Sequence, residues 1–206
     1  AKAIANKQYR DIMRFAYEKS GSKLPFLGNT LIIPGVAGAG KTAVVLSSVN
    51  DPNEDVIVAG PTKTQADTLQ RSLGRTESYT FDQLLELILG KEQLTATRVQ
   101  LDKVKNGKKI EPFDCQYFTV EDVNGVAVIK LKRDSLKFNK LAKTPKKLFL
   151  DEATHLSALE IQILDAFAES IGAVNYLAGD PNQRGYFNPN STIENLQEDQ
   201  VFASRA

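Results

Sequence analysis

Short apolar runs alternate along this chain with segments in which apolar residues recur every three or four positions. Runs of three to six mostly apolar residues predict buried strands at 30–34, 55–59, 148–150 and 173–178. The helical spacing predicts amphipathic helices at 3–20, 41–49, 64–73, 80–89 and 159–168. Strands that alternate with helices predict an α/β fold with a mostly parallel, doubly wound sheet.

The pattern changes between residues 91 and 143, which predicts a small inserted subdomain. Residues 91–109 are polar and basic, with only weak periodicity. Residues 117–123 and 126–132 then alternate around Asn124-Gly125, a strong β-hairpin signal. We therefore assign residues 1–90 and 144–206 to the main domain and residues 91–143 to a basic, hairpin-bearing insertion.

Composition narrows the class of protein. The chain has 206 residues, of which 42% are hydrophobic and 25% charged, as in globular domains. No apolar run reaches the roughly 18 residues of a membrane span, and no signal-peptide pattern is present. A single cysteine and a single histidine exclude an internal disulfide and leave no zinc site. We expect a reducing, intracellular location in the cytoplasm, with the nucleus and a viral replication site left open.

Positive charge is concentrated in one segment although the net charge is only +1. Residues 130–147 carry eight basic side chains against one acid, Asp134. Such a run is most often a solvated face, and its alternative is contact with nucleic acid.

A glycine-rich loop follows the first predicted strand and matches G-x-x-x-x-G-K-[ST] in full at Gly35, Gly40, Lys41 and Thr42. Glycines let backbone N–H groups point at a phosphate, and the following helix presents its positive end to the same anion. Lys41 can reach the β- and γ-phosphates, and the Thr42 hydroxyl can bind Mg²⁺. The loop predicts a nucleotide triphosphate site at Gly35, Val36, Ala37, Gly38, Ala39, Gly40, Lys41 and Thr42.

Two further clusters follow predicted strands. Asp151 and Glu152 end the run Leu148–Leu150, so Asp151 is placed to hold Mg²⁺ and Glu152 to activate a water. The alternative for this pair is an ordinary helix N-cap. After the last strand, Gly179-Asp180-Pro181-Asn182-Gln183 brings the Gln183 amide towards the γ-phosphate, unless it is a simple Asp-Pro turn.

Four segments in this order resemble motifs I, Ia, II and III of the N-terminal RecA-like domain of superfamily 1 helicases. They are Gly35–Thr42, Val56–Thr62 with Ala66 and Leu69, Asp151–Thr154, and Gly179–Gln183. Thr80-Phe81 is similar to a further segment of these enzymes, and Asn6-Lys7-Gln8 to their adenine-reading element. The insertion lies where the family places its accessory 1B subdomain.

The resemblance implies an ATP-dependent and Mg²⁺-dependent motor on single-stranded DNA or RNA. It implies phosphate binding at Lys41, Mg²⁺ at Thr42 and Asp151, water activation at Glu152, and γ-phosphate sensing at Gln183. It also implies adenine contact at Gln8 and strand contact at Pro61, Thr62 and Thr80, with the basic insertion beside that path. For Phe81, stacking on a base competes with a place in the core. For His155, coupling of the two sites competes with an ordinary loop position.

The sequence departs from the family pattern after motif III. Nothing up to Ala206 resembles the second RecA-like domain, which supplies an arginine finger. We therefore expect a longer parent protein, and very slow hydrolysis by this chain alone. A nucleotide switch without translocation, a small-molecule kinase and a simple nucleotide-binding module remain alternatives. Pro61-Thr62 and Gln183 favour the motor, because a kinase needs neither. DNA or RNA, and the direction of movement, stay open.

Overall fold

A five-stranded parallel sheet forms the centre of the molecule in the computed structural model, which describes residues 28–34, 46–105, 112–123 and 126–179. In chain order the strands within these ranges are β1 (Thr30–Pro34), β2 (Val56–Gly60), β3 (Tyr79–Thr80), β4 (Phe113–Asp114), β5 (Phe118–Val123), β6 (Val126–Leu131), β7 (Lys147–Leu150) and β8 (Val174–Gly179). The central sheet has the order β1-β8-β7-β2-β3 and all its pairs are parallel. The predicted α/β fold is confirmed.

Helices follow the central strands, and local capping sets where they begin. They are α1 (Lys63–Leu73), α2 (Phe81–Leu89), α3 (Lys91–Lys105) and α4 (Ala158–Ile171), and residues 46–49 are also helical. Thr80 with Gln83, and Ser157 with Glu160, form reciprocal capping boxes at the starts of α2 and α4. Gly74 ends α1 in the left-handed conformation, with φ of 65°. Within the described ranges, no helix is long and apolar enough to cross a membrane.

The side chains of the central strands point alternately to two buried layers. Val58, Phe149 and Tyr176 pack with α1 on one face, where the Phe149 and Tyr176 rings meet edge to face at 5.3 Å. Leu148, Leu150 and Leu177 pack with α2 and α4 on the other face. Because helices cover both faces of the sheet, its strands are apolar at nearly every position. This is why the strands could be predicted from the sequence.

Helix α3 is the element that the sequence pattern did not predict. Its buried positions are Leu94, Thr97, Leu101 and Val104, whereas Val99 is 48% exposed. A threonine inside the buried stripe and a valine outside it obscure the helical period. The predicted helix at 3–20 and most of the one at 41–49 lie outside the described residues.

The predicted hairpin is present as β5 and β6, and β4 extends it to a three-stranded antiparallel sheet. Its buried residues Phe118 and Ile129 belong to the same core cluster as α2 and α4. The Gln162 side chain on α4 pairs with the backbone of β6. Its Oε1 accepts the Leu131 N–H at 2.8 Å and its Nε2 donates to the Ile129 carbonyl at 2.9 Å. The small sheet is thus fixed to α4, while the domain boundaries at 91 and 143 stay predictions.

Gly60 allows β2 and α1 to approach closely at the edge where the site lies. A Cβ at this position would lie 3.1 Å from the backbone nitrogen of Ala66. We expect Gly60→Ala to lower the free energy of unfolding by about 1–3 kcal/mol, because the backbone of α1 must shift. Urea unfolding of the full chain measures this change.

Gly74→Asn is the matched control, since a Cβ at Gly74 meets nothing within 4 Å and Asn tolerates a positive φ. We expect it to change the free energy of unfolding by less than about 0.5 kcal/mol. A Gly60→Ala protein as stable as the unsubstituted chain would show that this close approach is not needed.

Candidate nucleotide site at the carboxyl edge of the sheet

The candidate clusters attach to one edge of the sheet, because parallel strands end on the same side. Residue 35 follows β1, residue 180 follows β8, Asp151 follows β7 and Pro61 follows β2. Strand β8 lies between β1 and β7, and Pro34 pairs with Gly179 at their ends. Gln8, Gly35–Thr42 and Gln183 themselves lie outside the described residues, so their predicted roles stay predictions.

Asp151 is held at the tip of β7 by hydrogen bonds to two backbone groups. Its N–H donates to the Ala59 carbonyl of β2 at 3.0 Å, and its Oδ1 accepts the Glu152 N–H at 3.0 Å. Burial raises the pKa of the Asp151 carboxyl above its ordinary value. The Glu152 charge adds to this rise, and the backbone hydrogen bond opposes it.

The chemistry of Asp151 fits a ligand for Mg²⁺, which prefers carboxylate oxygens. No lysine or arginine of the described ranges lies within ion-pair distance of this carboxylate. The pKa of Asp151 is higher in the folded chain than in the unfolded chain, so protonated Asp151 stabilises the fold at low pH. This contribution is lost as the pH rises through the pKa that Asp151 has in the folded chain. A cation at Asp151 would offset that cost. Bound Mg²⁺ would neutralise charge on the nucleotide phosphates. Within the described ranges, no group of three or more potential metal ligands is present, so Asp151 alone does not form a complete metal site.

Glu152 has the only left-handed backbone among the non-glycine residues that the structure describes, with φ of 53° and ψ of 40°. Such a conformation costs on the order of 1–3 kcal/mol and is often found at functional sites. Glu152 precedes a short 3₁₀ turn, Ala153–His155, whereas α4 begins later and is capped by Ser157. The helix N-cap alternative for Asp151-Glu152 is therefore not the one that the fold adopts.

His155 lies beside Glu152. Its Nε2 is 3.9 Å from the Glu152 Oε2, and its backbone N–H donates to the Glu152 carbonyl at 3.1 Å. Burial lowers the pKa of the His155 imidazole below its ordinary value of 6.5, which favours the neutral ring at pH 7.

A cavity of about 470 Å³ adjoins this turn and reaches the end of β2. Pro61 and His155 line it together with Phe81 of α2 and Arg98 of α3. The side chain of Arg98 forms an ion pair with Asp82 at 2.5 Å on the rim. The cavity therefore joins the turn after β7 to the segment after β2.

The predicted strand-contacting residues have structural roles of their own. Thr62 is exposed and its Oγ1 accepts the Gln65 N–H at the start of α1. The Thr80 Oγ1 accepts the Gln83 N–H at the start of α2, and Thr80 pairs with Gly60 in the sheet. Phe81 is only 6% exposed, so the structure takes the core alternative for its ring. Contact of Pro61, Thr62 and Thr80 with a nucleic acid stays a prediction.

A buried network supports the start of β1 and was missed in the sequence. Asp165 of α4 is fully buried and accepts hydrogen bonds from the Asn29 N–H at 3.0 Å and the Thr30 hydroxyl at 2.6 Å. The Arg133 guanidinium binds its other oxygen at 2.8 Å and also Glu169 at 2.7 Å. The available signal was a charged residue inside the apolar stripe of α4, between Leu164 and Ala166.

Half of the basic segment 130–147 is used in ion pairs within the fold. Acidic partners in the described ranges bind Lys130, Lys132, Arg133 and Lys147. Lys146 lies at the amino ends of the strands: its N–H donates to the Asp55 carbonyl, and its carbonyl accepts the Val174 N–H. Lys146, which lies outside the predicted insertion, is thus at the opposite end of β7 from Asp151, and the expectation that the basic insertion lies beside a nucleic-acid path stays a prediction.

Comparison with known proteins agrees with this arrangement. A family model described as an AAA domain matches residues 26–204. The model represents a P-loop NTPase domain found in superfamily 1 helicase-like proteins. A search of curated proteins gave no significant match.

Proposed function

The chain belongs to this AAA-domain family of P-loop NTPases, and on that premise we propose that it is the ATP-hydrolysing domain of a helicase or translocase on single-stranded nucleic acid. Membership of the family supports nucleotide hydrolysis. The motor activity, the nucleic-acid substrate and the role of Mg²⁺ are our proposal.

The order of the strands is the observation that carries the proposal. The sheet order β1-β8-β7-β2 arranges the segments with motif-like sequences side by side along one edge. Asp151 and Glu152 follow β7, which pairs directly with β2, and β2 leads into Pro61 and Thr62. A motor must transmit changes at its nucleotide site to the segment that holds the nucleic acid. The placement of these two segments after adjacent β-strands supports such coupling.

Within this proposal each residue has a defined task. Lys41 and the backbone of Gly35–Thr42 bind the β- and γ-phosphates, and Thr42 with Asp151 holds Mg²⁺. Glu152 orients the attacking water and accepts its proton. Gln183 hydrogen-bonds the γ-phosphate and responds to its loss.

The turn after β7 supports a route between the two activities. Asp151 is hydrogen-bonded to Ala59 of β2, two residues before Pro61. His155 contacts Glu152 on one side and lines the cavity with Pro61 on the other. We propose that a shift of Glu152 on loss of the γ-phosphate moves His155 and so the cavity wall at Pro61.

Two other functions of P-loop proteins are the alternatives to a motor. A nucleotide switch would use the phosphate loop without translocation, and a small-molecule kinase would need arginines over the phosphates. The strained Glu152 next to the half-buried Asp151 supports hydrolysis over the kinase, since a water-activating carboxylate is the residue that a hydrolase requires. A switch also hydrolyses its nucleotide and differs from a motor in its response to single strands.

The rate of ATP hydrolysis with and without single-stranded oligonucleotides tests the proposal. We expect single-stranded DNA or RNA to raise the rate severalfold, and a blunt duplex of the same sequence to raise it less. Equal rates under all conditions would contradict a motor and favour the switch. Strand displacement on duplexes with 5′ or 3′ tails then gives the direction of movement.

A further inference from the structure

We propose that residues 136–146, the lysine strap, form a second binding surface for the phosphate backbone of nucleic acid. This surface lies at the opposite end of the domain from Asp151. The choice of nucleic acid as the polyanion rests on the proposed function, whereas the surface itself rests on the geometry below.

The four lysines of the strap recur every third residue and point outward. Lys137, Lys140, Lys143 and Lys146 are all exposed. None of them forms an ion pair with an acid in the described part of the chain, in contrast to the other four basic residues of the segment. The fold therefore uses half of the positive charge internally and leaves the other half available.

The strap is fixed by residues that alternate with the lysines. Leu136 and Pro145 are buried, and the Phe138 ring packs edge to face on Phe167 of α4 at 5.5 Å. Leu141 packs against the same core cluster. Because these side chains point inward, the lysines form a row held in place by the core.

Backbone hydrogen bonds hold both ends of the strap. The Gln93 amide of α3 pairs with both backbone groups of Lys137, at 2.5 and 3.0 Å. The Asn139 N–H donates to the Ile88 carbonyl at 2.8 Å, and the Lys146 N–H donates to the Asp55 carbonyl at 2.8 Å. A surface fixed in this way loses little conformational entropy when it binds a ligand.

Exposed acids also lie near the strap. Glu54 forms an ion pair with Lys147 at 2.8 Å, and the exposed Glu77 accepts a hydrogen bond from the Tyr79 hydroxyl at 3.0 Å. Asp55 is exposed next to Lys146, Asp134 is exposed three residues before Lys137, and Glu92 is exposed next to Gln93. No acid lies between Lys137 and Lys146 in the sequence, so the strap itself carries only positive charge.

The spacing of the lysines fits a repeating polyanion. In an extended chain a period of three residues separates the lysines by up to about 10 Å, so the row spans up to about 30 Å. Each strand of a duplex carries one phosphate about every 3.4 Å along the helix axis, so each lysine can meet a phosphate without reading sequence. Both a duplex arm and a second stretch of single strand supply this chemistry.

The test compares paired substitutions of equal charge in the full chain. In Lys137→Gln/Lys140→Gln two strap lysines are neutralised. In the control, Arg71→Gln/Lys103→Gln, two exposed basic residues of α1 and α3 are neutralised. Fluorescence anisotropy measures binding of labelled single-stranded and blunt duplex DNA between about 50 and 200 mM salt. Thermal unfolding by circular dichroism checks that all variants fold.

We expect the strap variant to reduce the slope of log affinity against log salt by about 1.8 on duplex, or about 1.4 on single strands. A loss of slope that occurs with only one form of DNA identifies the form that the strap binds. We expect the control variant to keep the slope near that of the unsubstituted chain. Equal slopes in the strap variant and the unsubstituted chain, or equal losses in strap and control variants, would overturn the proposal. Strap-dependent binding to phosphatidylserine vesicles without binding to DNA would also overturn it.

The outcomes separate this inference from the proposed function. Single strands that stimulate ATP hydrolysis while the strap slope is unchanged refute the strap and support the motor. A strap-dependent slope without any stimulation supports the strap and refutes the motor.

Discussion

We expect Glu152→Gln to slow ATP hydrolysis by about 10²–10⁴-fold, the usual contribution of a general base. The amide keeps the size of the side chain but cannot accept the proton of the attacking water. Nucleotide affinity should change little, because Glu152 is not among the residues predicted to bind phosphate. Single-turnover hydrolysis with chain in excess over ATP gives the rate, and titration with a fluorescent ATP analogue gives the affinity.

Glu86→Gln serves as the matched control, since Glu86 is exposed on α2. It should hydrolyse ATP at the rate of the unsubstituted chain. A Glu152→Gln protein that keeps its full rate would remove Glu152 from the chemistry. In that case its left-handed backbone would have to serve the fold alone.

The second large effect is on stability. We expect Asp165→Asn to lower the free energy of unfolding by about 3 kcal/mol, the lower end of the cost of breaking a buried ion pair. The substitution removes the charge that Arg133 pairs with, and the amide offers only one acceptor oxygen, so either Arg133 or the Asn29 N–H and the Thr30 hydroxyl must face an NH2 donor. The lower end applies because Arg133 keeps its pair with Glu169. Urea unfolding measures the change.

Glu169→Gln removes the exposed partner of the same arginine and is the control. Its carboxylate is 63% exposed, so we expect a loss of only about 0–1 kcal/mol. Similar losses in the two variants would mean that the buried carboxylate contributes no more than a surface charge. Other contacts would then have to hold the start of β1, the strand that leads to Gly35.

Much of the central sheet was predictable because its strands are buried on both faces. Runs such as Val56–Ala59 and Leu148–Leu150 are apolar throughout, and turn residues such as Gly74 mark the helix ends. Asn124-Gly125 likewise predicted a hairpin that is present. Helix α3 was not predicted because Thr97 is buried and Val99 is exposed, the reverse of what their hydropathy indicates.

The candidate site was predictable as far as local motifs extend. A strand followed by Asp151-Glu152 can be seen in the sequence, but the left-handed backbone of Glu152 cannot, since glutamate carries no local preference for it. Tertiary contacts decided the rest. Contacts between distant parts of the chain bury Phe81 and place Asp165 against the start of β1. They also place Lys146 at the amino ends of the strands.

We propose that the loop after β1 and the acids after β7 form one hydrolytic nucleotide site. The most direct test is single-turnover release of phosphate from ATP, with Mg²⁺, by the full chain and by Lys41→Ala. We predict Mg²⁺-dependent phosphate release by the unsubstituted chain and none above background by Lys41→Ala, which lacks the phosphate contact. Equal release by the two proteins would show that Lys41 is not part of a hydrolytic nucleotide site.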